Sequence, residues 1–331
     1  MSNTNIKGSF WGFEVRRRQL SGAWVTSAYV AAPPEVQFGW FGGGDSSVAV
    51  STVDRIDYSN DSTTANTRGS LTSTRRFLSA TGNTNYGWFG SSTQPVGSAV
   101  DRIDYANDMS IANSRGVLSL ARGQTAATGN NNYGWFGGGL GADVFSLVDR
   151  IDYTNDLTAS SIRGPLSVSN HGQAASGNNN YGWFAGGVGQ VWFSLVDRVD
   201  YSNDLTTASV RGPLSITINN LAATGNSNYG WFAGGRGPAY VSVISRIDYS
   251  NDLTTASNRG PLSAVKRYLA SSGNSNYGWF GGGYTQGGTF SQNIISTIDR
   301  VEYSNDATNV SVRSPLSLAR YGLSATGGFP G

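Results

Sequence analysis

Cysteine is missing from this 331-residue chain, histidine occurs once and methionine twice. Without cysteine there is no disulfide framework and no thiolate metal site, although the compartment stays open. His171 alone cannot build a His-based metal cluster, and no Ser-His-Asp set stands out around it, so its default reading is a loop residue. Lysine and glutamate are scarce and charged residues make up only 13%, which argues against helices. A net charge of +2 is too small for a nucleic-acid footprint. No apolar run approaches the roughly 20 residues of a membrane span. The opening Met1-Ser2-Asn3-Thr4-Asn5 has no signal-peptide pattern. Neither a signal peptide nor membrane insertion is expected.

What the chain has instead is 45 glycines, 12% aromatic residues and a repeat. Phe38-Gly39-Trp40-Phe41 is followed by five Tyr-Gly-Trp-Phe copies, with tryptophans at Trp40, Trp88, Trp135, Trp183, Trp231 and Trp279. The steps are 48, 47, 48, 48 and 48 residues, so each unit buries its apolar faces against its neighbours. Within the third unit, Gln124 to Gly129 reads as a small-residue strand and Tyr133 to Phe136 as an aromatic one. Leu147 to Tyr153 and Leu157 to Arg163 follow, each closed by turn residues. Four strands per unit in an antiparallel meander make a propeller blade, and the fold class is all-β. Aromatic residues on both faces of the second strand fit a strand sandwiched between blades, and its glycine makes room for a bulky neighbour.

The third strand alternates Arg55 with Asp57, Arg102 with Asp104, Arg150 with Asp152 and Arg198 with Asp200. This invites charge-assisted hydrogen bonds between blades, with Arg68, Arg115, Arg163, Arg211, Arg259 and Arg313 as further donors. These residues and the six tryptophans are expected to be structural. Asp57-Tyr58-Ser59-Asn60-Asp61 looks like the first half of a calcium loop, but the glycine and glutamate of the second half are missing. Ordinary turn chemistry explains it, and no metal or cofactor is expected. The glycine triplets lack the Lys-Ser/Thr of a phosphate loop.

The order of an arginine, a small-residue strand, an aromatic strand ending in Gly-Gly and a strand ending in acid-Tyr resembles the Kelch family of β-propellers over residues 38–327. The tryptophan usual in the fourth strand is absent, with Ala112, Ala159 and Ala208 near its place. The wording Tyr-Gly-Trp-Phe-Gly-Gly-Gly with Asp-Arg-Ile-Asp-Tyr-Ser-Asn-Asp also resembles repeats in virion structural proteins of marine tailed bacteriophages, cyanophages in particular. That resemblance implies a particle component such as a fibre, appendage or decoration protein, located in the virion. Its implied partners are other virion proteins, further copies of itself, or a host-surface glycan or receptor.

Six aromatic strands give six blades, and Arg320 to Gly327 is a first strand with no second strand after it. Such a strand is expected to clasp the blade begun at Phe38, leaving residues 1–37 as a non-repeating extension and 38–331 as the propeller. A seven-blade alternative takes Phe10–Val15 and Ala23–Ala32 as strands of a degenerate blade, against the break at Pro33-Pro34.

The connections between second and third strands differ from unit to unit while the framework stays fixed, which is how a rigid scaffold carries recognition. Candidate binding residues there are Trp192, Tyr240, Tyr284 and Phe290, with Arg76, Arg122 and Arg267 from connections that the Kelch resemblance implies emerge on the same face. Trp192 and Tyr240 stand near the places of Val96 and Val144 in other units, so packing is the competing reading. Three functions follow: a non-enzymatic virion protein, a lectin-like propeller, or a hydrolase or lyase with carboxylates in the ring mouth. Catalysis is disfavoured because acids such as Asp54 and Asp57 recur in nearly every unit, whereas active sites need a few differently tuned groups.

Overall fold

The periodic strands form where the pattern places them. In the second blade Ser79–Gly82, Tyr86–Thr93, Val96–Asp104 and Asn113–Ser114 make one antiparallel sheet, numbered outward from the ring axis. The inner strand is built of small residues because six such strands converge around the axis. Asn83 turns the first hairpin, its Oδ1 accepting from the amides of Asn85 (2.9 Å) and Tyr86 (3.0 Å). A 3-10 turn, Tyr105–Asn107, ends the third strand. The computed structural model describes residues 37–287 and 293–327; all but Gln37 of the expected N-terminal extension lies outside them.

Six four-stranded sheets result, a six-bladed β-propeller. Ser324–Gly327 supplies the inner strand of the blade that begins at Phe38, with Trp40 opposite Thr326 and Phe41 opposite Ala325. The clasp expected from the sequence is therefore present. The strands of the seven-blade alternative fall outside the described residues, but the closing strand they would need already belongs to the blade of Trp40.

Blades interlock through a unit repeated at all six junctions. Trp88 lies flat on Tyr153 of the next blade, with ring centroids 3.8 Å apart and 8° between planes. At the closing junction Trp279 lies on Tyr58 at 3.9 Å and 7°. Beyond the area they bury, such pairs add about 0.5–1.5 kcal/mol each. Each tyrosine reaches through to a hydroxyl on the inner strand of the preceding blade, as Tyr153 does to Thr81 at 2.8 Å. Burial raises the pKa of these phenols. The glycine between aromatics is what admits the tyrosine: a Cβ on Gly87 would stand 2.8 Å from the hydroxyl of Tyr105, a residue of its own sheet. The bulky group is thus not only from the adjacent sheet; Thr326 of the preceding blade crowds the same point.

The arginines also bridge blades, but not through the acids beside them. Trp40 Nε1 (2.9 Å), Arg55 Nη1 (3.0 Å) and Arg68 Nε (3.5 Å) converge on one oxygen, Asp108 Oδ2, in the next blade. Arg102 and Arg150 use Asp156 and Asp204 in the same way, and Arg198 uses Asp252. Asp57, Asp104, Asp152 and Asp200 instead cap their own turns, each accepting an amide two residues on. A short carboxylate at a strand end meets its local backbone before it can meet a guanidinium.

A second set of charges is buried within blades. Arg122 meets Asp149 at 2.8 Å with both side chains fully buried, and Arg75–Asp101, Lys266–Asp299 and Arg320–Asp54 repeat the pairing. In the fifth blade the corresponding residues are Ile218 and Ser245, both buried. The chain thus contains its own double replacement, in which cation and anion vanish together. Arg122→Met is expected to lower the unfolding free energy by about 3–5 kcal/mol by stranding Asp149. Arg122→Ile with Asp149→Ser, copying the fifth blade, is expected to recover most of that loss in equilibrium unfolding.

Candidate binding face at the channel mouth

The connection entering each inner strand turns through the left-handed region at Phe77, Gln124, Gly172, Asn220, Tyr268 and Gly322, with φ between +52° and +65°. Four of these are not glycine, and such a conformation costs each of them on the order of 1 kcal/mol. The return is a closed circle of backbone hydrogen bonds around the axis. Phe77 donates to Gly322, Gln124 to Phe77, Gly172 to Gln124, Asn220 to Gly172, Tyr268 to Asn220 and Gly322 to Tyr268, at 2.6–2.9 Å. This circle narrows one mouth of the channel to main chain. Behind it lies a cavity of about 110 Å³ lined by Ser, Thr, Ala, Leu and Gln, with no carboxylate.

The loops between second and third strands lie on this same face, five of the six bridged to their connections, as His171 is with Val188, Asn219 with Arg236 and Arg267 with Tyr284. Because the circle fixes the backbone, the residues in its slots vary freely, and four of the six carry a side chain. Phe77 and Tyr268 meet edge to face across it at 4.8 Å. Tyr321 stands 5.8 Å from both and from Tyr284, and Tyr284 lies 6.4 Å from Tyr240. Gly322 leaves space for this cluster, since a Cβ there would come 3.0 Å from the Phe77 ring. Arg267 lies over Tyr268 (4.6 Å), Tyr240 (4.7 Å) and Tyr284 (5.6 Å). Arg76 lies over Phe77 at 5.5 Å and pairs with Asp45 and the Tyr321 hydroxyl. Burial and the charge of Asp45 raise the Tyr321 phenol, with Arg76 opposing.

Of the residues expected to bind, Tyr240, Tyr284 and Arg267 come together, with Arg76 beside them. Trp192 stands apart in the loop of the fourth blade, 37% exposed and bridged through its backbone to Val188. Arg122 is not on the surface: its guanidinium is enclosed by Asp149 and the carbonyls of Gly138 and Phe136, because the cation of that slot serves the buried pair. Phe290 lies outside the described residues. Phe77, Tyr268 and Tyr321 were missed as site residues. A signal was available, since the slot of Phe77 and Tyr268 reads Phe, Gln, Gly, Asn, Tyr and Gly around the ring and the slot before it, which holds Tyr321, reads Arg, Gly, His, Asn, Arg and Tyr, whereas the aromatic strands repeat almost unchanged.

On the other side of the mouth, His171 donates from Nδ1 to Gln124 Oε1 at 2.7 Å, and burial lowers its pKa, which favours the neutral ring. A larger cavity of about 360 Å³ lies between the fifth and sixth blades at the opposite strand ends, among repeated residues such as Asn226 and Tyr229. Among the described residues no three His, Cys, Asp or Glu side chains cluster as metal ligands.

No protein-family model matches the chain, and no curated protein matches it. The fold matches 593 solved chains. One is YjhT, with a TM-score of 0.66 and 12% identity, over 77% of this chain and 88% of that one. At that identity the likeness speaks to the fold. No helix among the described residues is long and apolar enough to cross a membrane.

The fourth blade keeps its acid, Asp197, but has Asn170 where others carry the cation. Burial raises the Asp197 pKa above its ordinary 3.8, with hydrogen bonds from Ser167 opposing. A carboxyl raised on folding costs stability once it ionises, and that cost is absent below the unfolded pKa. Asp197→Asn is therefore expected to raise the melting temperature relative to wild type at pH 7, with the difference vanishing near pH 3. A difference independent of pH would show that ionisation is not the cause.

Proposed function

We propose that this ring is a non-enzymatic binding component of a bacteriophage particle, a fibre, appendage or decoration protein, and that the aromatic mouth is its contact surface. The observation that carries the reading is the convergence of Phe77, Tyr240, Tyr268, Tyr284 and Tyr321 from four consecutive blades on one sector of an otherwise repeated scaffold. Amphipathic rings held edge to face by a fixed backbone offer contact area at little entropic cost. The recurring carboxylates that a hydrolase would draw on are engaged elsewhere: Asp108 and its equivalents hold blades together, and Asp149 and its equivalents are buried. The repeat wording, which resembles marine tailed-phage virion proteins, supplies the particle. The Kelch-like strand order supplies the scaffold.

A lectin-like role is the second reading, favoured by the pairing of the half-buried Tyr240 ring with two arginines at the mouth. Mass spectrometry of purified particles tests the first reading. The chain is expected among the structural proteins at constant stoichiometry, and its absence from particles contradicts the assignment. A glycan array separates the second reading from the first.

A further inference from the structure

Among the described residues arginine is almost always paired. Every other arginine among the described residues has a carboxylate oxygen within 3.5 Å, and Arg236 and Arg267 do not. The two exceptions are neighbours. Both guanidiniums lie over the Tyr240 ring, at 5.7 Å and 4.7 Å from its centroid. Arg236 is exposed, whereas Arg267 is half-buried beneath three tyrosines with its Nε buried and unpartnered. Segment 288–292, which follows Tyr284 closely in the chain, contains no acidic residue.

Two like charges gathered at one ring, one of them partly out of water, raise the local potential, and Asp45 at the same mouth is paired with Arg76 instead. A ring face satisfies a cation only from above; the in-plane N–H donors of a guanidinium still suit an oxyanion, which they grip in pairs. The half-buried rings of Phe77, Tyr240 and Tyr268 at the same mouth add apolar ring surface for a ring-shaped partner. We propose that Arg236 and Arg267 form the anion subsite of a saccharide-binding site, and that the ligand is an acidic glycan bearing a carboxylate or sulfate on a sugar that packs beside Tyr240. The proposal rests on the reading of this face as the contact surface and names its ligand class.

Titration calorimetry on the full chain tests it with four probes: a uronic-acid oligosaccharide, a sulfated one, the neutral oligosaccharide of the same backbone, and inorganic sulfate alone. The acidic oligosaccharides are expected to bind at least about tenfold more tightly than the neutral one, and less tightly as salt is added. Arg236→Gln and Arg267→Gln are each expected to lose about that factor, while binding of the neutral probe stays as it was. Because Arg236 is exposed and unpaired, its variant keeps the wild-type melting temperature, so its loss of binding is read on a folded ring.

Equal affinity for acidic and neutral probes, or full affinity in the Arg236→Gln, Arg267→Gln double variant, overturns the proposal. So does sulfate alone binding as tightly as the sulfated sugar, or a single-stranded oligonucleotide binding more tightly than any saccharide. If Tyr240→Ala abolishes binding while the arginine variants do not, the contact surface stands and the acid requirement falls. If acidic sugars bind but the chain is missing from particles, the virion reading falls and this one stands.

Discussion

One carboxylate oxygen per junction holds the ring together. Asp108 Oδ2, and its counterparts in Asp156, Asp204, Asp252, Asp306 and Asp61, each receives an indole and two guanidiniums from the preceding blade. The oxygen sits at the edge of the indole that the neighbouring tyrosine covers, so apolar stacking and charge are satisfied at one point. Directional bonds fix the angle between sheets, which non-directional burial of aromatic faces leaves free. Repeating one angle six times closes the circle, and the last strand then completes the first sheet.

Closure frees other positions. Once interlock and hydrogen-bond circle set the backbone at the mouth, the left-handed slots carry Phe77, Gln124, Asn220 and Tyr268 without altering the frame. The buried pairs show the same tolerance, since one blade omits the pair altogether and another keeps only the acid. Binding chemistry accumulates where the frame imposes nothing, and here that is the sector spanning the fifth, sixth, first and second blades.

The strand order, the six blades and the clasp were legible because they follow from period, alternation and a leftover first strand. The partner of Arg55 was not legible: Asp57 is nearer in sequence, whereas Asp108 is nearer in space only after blades are stacked at the angle that Asp108 itself fixes. Arg122 and Arg76 sit in adjacent slots of their connections, and only the fold shows that the slot of Arg122 faces inward to Asp149 while that of Arg76 faces the mouth. Tyr321 belonged to the closing strand in the sequence reading, and its place beside Phe77 exists only in the closed ring.

Equilibrium unfolding of Asp61→Ala tests the interlock most directly, because Asp61 serves the junction between the last blade and the first. Removing it leaves a buried indole N–H and two guanidiniums without their acceptor. A loss of at least about 2–3 kcal/mol in unfolding free energy is expected. A change within about 0.5 kcal/mol, as for an ordinary surface residue, contradicts it.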